Sequence, residues 1–254
     1  SEVSGDSTYL RRVTLDIAGR LPTVSEVETF LGDSAPDKRQ RLVERLLRSE
    51  QYAEYFANKW SALLRNKRAN GAQLRSTLAF YDWIKESLYN NKPYDRFVRE
   101  QLAGDEIDPG NRDALIATMF LRHWIYEYNQ RDVETQWREI LADVTNVTGD
   151  VLLGLGLQCA RCHDHKYDPI PQRDYYRMQA FFAPLLPRDS MPVGTVAQRT
   201  RFFERHQAWA TATAELRRQL HAIEQPALLG RATGEGFDKF IDRIKTMIRK
   251  RPED

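Results

Sequence analysis

The sequence predicts an all-α chain, on three observations. Apolar residues recur at spacings of three and four along most of its length, no run alternates apolar and polar residues in the period of a strand, and no internal repeat is present. With 254 residues, 41% of them hydrophobic and 29% charged, the chain can bury a sizeable core without disulfide staples. Two parts are expected: a helical body over residues 1–197 and a charged helical arm or hairpin over 198–254.

Leu42, Leu46, Leu47, Tyr52, Phe56, Trp60 and Leu63 mark one or two amphipathic helices between Asp37 and Leu64. Phe80, Trp83, Ile84 and Leu88 mark the next, which breaks at Asn90 to Pro93 and resumes through Phe97, Val98 and Leu102. The Asp108-Pro109-Gly110 turn then separates a short apolar helix, Asp113 to about Trp124. The clearest stripe follows, from Val133 through Trp137, Ile140, Leu141, Val144, Val147, Val151 and Leu152 to Leu155, and predicts one continuous buried helix running into Cys159. Beyond the irregular stretch His165 to Ile170, Arg173 to Phe182 reads as another helix, and a Pro-rich link follows from Ala183 to Val196. Gln198 to Gln225 has a sparse stripe of Phe202, Trp209, Leu216, Leu220 and Ile223, suited to a coiled-coil arm, and Phe237 to Ile248 is a last amphipathic helix.

The 38 basic and 36 acidic residues nearly cancel, so no field calls for nucleic acid. The densest basic stretch, Arg65, Lys67, Arg68 and Arg75, reads as a solvated loop, with docking of an acidic partner protein as the alternative. No run of 18 apolar residues is present and Ser1 to Ser7 is polar, so neither a membrane span nor a signal peptide is read in this chain. The only two cysteines lie three residues apart, which points to local chemistry and not to a framework of staples.

That local chemistry is written in Gln158-Cys159-Ala160-Arg161-Cys162-His163-Asp164-His165, which contains the C-x-x-C-H pattern of c-type haem attachment. On a helical turn, residues i and i+3 share a face, so Cys159 and Cys162 can reach the two vinyl groups of one macrocycle edge as thioethers. His163 then approaches the iron as proximal ligand. One covalent haem c is expected. Two other readings stay open. Cys159, Cys162, His163 and His165 could form a Cys₂His₂ zinc site, although such crowding would strain the backbone, and the cysteines could serve as a disulfide or redox pair.

For the distal iron ligand the candidates are Met191, in Ser190-Met191-Pro192, and His123; both also read as ordinary loop or packed residues. His165 is too near His163 to reach the opposite haem face and is assigned a hydrogen bond to a propionate or to backbone. Asp164 and Asp168 read as capping or solvated carboxylates, with a cation site near the haem as the alternative, and His206 and His221 as surface residues of the arm. No phosphate loop, G-x-S-x-G elbow or H-E-x-x-H pair is present, so no catalytic residue is assigned.

Two long motifs carry a resemblance. One runs from Tyr9-Leu10-Arg11-Arg12-Val13-Thr14-Leu15-Asp16 to Leu21-Pro22-Thr23, and the other from Gly154-Leu155 through Cys159 to Asp168-Pro169-Ile170, with Asp174-Tyr175-Tyr176 and Ala180-Phe181-Phe182. Together they span nearly residues 7–183, and the chain resembles the domain of unknown function associated with secreted planctomycete cytochromes. The resemblance implies a periplasmic or other extracytoplasmic location, a further domain of the same polypeptide, and haem roles for Cys159, Cys162 and His163. It supplies no reaction.

The resulting expectation is a cytochrome module that exchanges electrons with a redox partner protein. A haem-dependent oxidoreductase or peroxidase-like enzyme with an accessible iron is the enzymatic alternative. A third reading is a binding module whose arm docks a partner around a structural haem or zinc.

Overall fold

The computed structural model describes residues 4–66, 74–123, 132–186, 195–232 and Thr246. Met191, the basic residues Lys67 and Arg68, and the expected helix Phe237 to Ile248, apart from Thr246, lie outside the described residues. Among the described residues there are ten α-helices and no strand, so the chain is all-α. It divides into two compact units, 1–123 and 124–254.

In the first unit, α1 (Asp6–Ala18) buries Leu10, Thr14 and Ala18, four residues apart on one face. It stops at Gly19, whose φ of 67° supplies the left-handed turn that returns its N–H to the carbonyl of Leu15. The sequence motif around Tyr9 to Thr23 thus encodes a helix and its exit. α2 (Val24–Gly32) opens with a capping box in which Thr23 accepts from the Glu26 N–H and Glu26 accepts from the Thr23 N–H. Arg20 donates twice to the same carboxylate, at 2.7 and 2.8 Å. α3 (Lys38–Leu47) completes a cluster of Leu10, Ala18, Phe30, Leu42 and Leu46, and Lys38 and Arg39 both reach Asp6 at 2.7 Å.

α4 (Glu50–Leu63) buries small residues, Ala53, Ala57 and Ser61, at intervals of four. This stripe permits close approach of α5 (Leu74–Tyr89), along which α4 packs and which supplies the buried Phe80, Trp83 and Ile84. Pro93 starts α6 (Tyr94–Ile107), as the break expected at Asn90 to Pro93 requires. Asn111 caps α7 (Arg112–Ala117) by accepting from Asp113 and Ala114, and a 3₁₀ turn, Thr118–Arg122, continues it. Residues Ala114 to Ala117 are all buried, the pattern of a helix enclosed on every side.

The second unit begins with α8 (Val133–Val147), capped by the Asp132 carboxylate on the Thr135 N–H. The continuous helix expected from Val133 to Leu155 is not formed. α8 stops at Val147, one π-helical turn spans Thr148–Leu152, and the chain turns at Gly154, whose φ is 65°. The apolar periodicity outlasts the helix because Leu152 remains buried after the backbone has changed, whereas Leu153 and Leu155 are exposed. α9 (Gln172–Phe182) matches the helix read from Arg173. α10 (Val196–Ala232) extends the charged helix read from Gln198 at both ends and leaves Phe202, Trp209, Leu216 and Ile223, seven residues apart, exposed.

The Arg20 contacts and the capping box hold the Glu26 carboxyl at a pKa of about 2, against an ordinary 4.5. The unfolded chain therefore binds the proton more readily, and this contribution is present above pH 4.5 and lost as the pH falls towards 2. Urea denaturation across that range tests it: Glu26→Gln should cost about 1 kcal/mol at neutral pH and show a shallower acid-side loss than the wild type.

Candidate functional site

The cysteines stand on a separate 3₁₀ turn, Leu157–Arg161, with Cys162 as its C-terminal cap, and not on the end of a long helix. Three residues per turn bring positions i and i+3 into register, so the spacing of Cys159 and Cys162 suits this turn better than it suits an α-helix. Both thiols are free and exposed.

The turn is anchored on its inner side. Leu157, Ala160 and Tyr175 form a buried cluster, with Ile170 and Met178 packed against it. The fully buried Tyr175 donates from its hydroxyl to Oδ1 of Asn146 on α8, at 3.0 Å. Gly149 lies so near Leu157 that a Cβ there would sit 2.6 Å from the leucine Cβ, which is why the turn can pack on the π-helical segment. On the outer side, Arg161 pairs with Glu139 of α8 at 2.6 Å; the guanidinium lowers the Glu139 pKa and the carboxylate raises that of Arg161. The Arg161 carbonyl accepts from Gln172 Nε2 and from the Tyr176 hydroxyl of α9, each at 3.0 Å.

His163 is exposed, and its Nδ1 lies 2.7 Å from the main-chain carbonyl of Asp164. A carbonyl only accepts, so Nδ1 carries a proton, and in the neutral ring the lone pair is then on Nε2. That is the tautomer an axial ligand needs. The residues present fit a c-type haem: two accessible thiols in register and a neighbouring imidazole with its Nε2 available.

His165 has a different task. Its side chain is 11% exposed, its Nδ1 accepts from the amides of Tyr167 and Asp168 at 3.3 and 2.9 Å, and its own N–H donates to Ile170 at 2.9 Å. It organises the 165–170 loop through these backbone bonds. Its Nδ1 is occupied by these amides and its Nε2 approaches Gly156. Among the described residues no group of three or more His, Cys, Asp or Glu side chains is gathered that could hold a metal ion.

His123 belongs to the first unit, at the end of the 3₁₀ turn. Its ring meets Phe80 edge-on at 5.0 Å, and both ring nitrogens are shielded from solvent, with the Leu64 backbone beside the ring. Burial first and the charge of Arg122 second lower its pKa to about 4, so it is a neutral imidazole at neutral pH. Sequence reasoning missed Glu139, Asn146, Gln172 and Tyr176, because their roles depend on contacts 11 to 29 residues apart that no local spacing announces.

The anchoring predicts a graded response at Tyr175. Tyr175→Phe removes one hydrogen bond and should cost about 1 kcal/mol, whereas Tyr175→Ala should cost roughly 3–5 kcal/mol by opening a cavity under the turn. Equal losses for the two variants in thermal denaturation would contradict the packing described.

No curated protein and no solved structure matches the chain. The family model PSCyt2, described as a protein of unknown function (DUF1549), matches residues 1–186 and so covers both sequence motifs and the whole anchored turn. The chain belongs to that family.

Proposed function

We propose that the second unit carries one covalent haem c, attached through Cys159 and Cys162 with His163 as proximal ligand, and that the protein transfers electrons to a redox partner protein in an extracytoplasmic compartment. One observation carries this reading. Two free, exposed thiols stand three residues apart on a 3₁₀ turn, followed at once by a histidine whose Nδ1 proton is held by a carbonyl. Each thiol S–H would add across one vinyl C=C, forming a thioether with no net oxidation. When bound, the haem supplies a one-electron couple whose potential the ligands and surroundings set.

The chain's own residues do the positioning. Arg161 and Glu139 fix the turn to α8, Gln172 and Tyr176 fix it to α9, and the Asp164 carbonyl orients His163. Exposed Leu153, Leu155, Tyr167 and Phe181 in the same unit offer apolar surface of the kind a macrocycle covers.

Production of Cys159→Ser, Cys162→Ser and the double variant in an exporting host that attaches c-type haem tests the assignment. Haem staining after denaturing electrophoresis should fall in each single variant and vanish in the double variant. Staining that survives the double substitution would overturn the attachment site.

A further inference from the structure

We infer that Asp164 is the positioning residue of the His163 ligand, acting through both its main chain and its carboxylate. The inference rests on the haem reading above. The Asp164 carbonyl takes the Nδ1 proton of His163 at 2.7 Å, and its Oδ1 accepts the main-chain N–H of Gln172 at 2.7 Å. Gln172 is the first residue of α9, and Pro171, in the capping position, makes no side-chain cap bond. The carboxylate eight residues upstream takes that role, and an anion at a helix N-terminus is also favoured by the helix dipole.

The consequence is mechanical. The carbonyl that sets the imidazole's tautomer belongs to a residue clamped to a helix by its own side chain. α9 is itself held by the buried Tyr175 and by the bonds of Gln172 and Tyr176 to the Arg161 carbonyl. The loop carrying His163 is therefore tied to the helix on both sides, at Arg161 before it and Asp164 after it. A histidine whose Nδ1–H is held by a fixed carbonyl is a more basic and less easily displaced ligand, and loss of such an outer partner typically weakens ligation roughly tenfold or more.

The test uses the full chain with haem attached. Intact mass is read first, then the reduction potential and the concentration of added imidazole that displaces His163. Asp164→Ala should retain haem, shift the potential and lower the displacing concentration roughly tenfold. Asp164→Asn keeps an acceptor oxygen and should restore most of the difference. Gln172→Pro removes the N–H donor at a helix position where proline is tolerated, and should reproduce the effect of Asp164→Ala. Gln172→Ala keeps the main-chain donor and loses one of the two bonds to the Arg161 carbonyl, so its effect should be clearly smaller.

Haem-loaded wild type and Asp164→Ala with the same potential and the same displacement curve would overturn the positioning role and leave the haem assignment standing. If Asp164→Ala fails to fold or to take up haem, the Gln172 pair decides, and identical behaviour of its two members overturns the role. Wild type with unmodified cysteines would overturn the haem reading, and this inference with it.

Discussion

The burial of Tyr175 against Leu157 and Ala160 is the contact on which the candidate site depends. An exposed pair of thiols is useful only if the short turn beneath it holds its shape, and a 3₁₀ turn of five residues has little rigidity of its own. The buried aromatic ring supplies that rigidity, and its hydroxyl to Asn146 carries the constraint from α9 to α8. Arg161 repeats the link on the outer side through Glu139, in solvent and correspondingly weaker. The turn is thus a bridge between two helices, with its apolar residues inward and its reactive residues outward.

This arrangement explains which parts of the fold could be read from the sequence. Helices with an apolar stripe and a punctuating residue are legible, as where Pro93 separates α5 from α6, whereas the stripe between Asp37 and Leu64 leaves one helix or two open and the structure forms two, α3 and α4. The long stripe from Val133 misled, because apolar periodicity records which residues face a core and not which backbone carries them. The run Val144 to Gly149 is rich in β-branched residues and ends in glycine, and there the helix widens into a π turn while burial of Thr148 and Leu152 continues. The motif from Tyr9 to Thr23 marks a family, and in the structure it forms most of α1, its exit at Gly19 and the cap of α2.

The site was legible to the extent that its chemistry is local. C-x-x-C-H fixes three residues by spacing alone, and the structure gives that spacing a matching turn and His163 a defined tautomer. The supporting residues are non-local and were not visible. His165 shows the difference, since adjacency to His163 suggested haem or zinc chemistry, while its bonds to the amides of Tyr167 and Asp168 make it the organiser of a loop. Outside the site, the exposed Phe202, Trp209, Leu216 and Ile223 of α10 repeat every seven positions, a spacing that keeps them on one face of the helix.

The most direct test of the central claim is a pyridine haemochrome spectrum, with intact mass, on wild-type protein from an exporting host able to attach c-type haem. The expected result is the α band of a haem joined by two thioethers and an added mass of one haem. Cysteines found unmodified in such a host, with no haem band, would contradict it and return the two thiols to redox or structural chemistry.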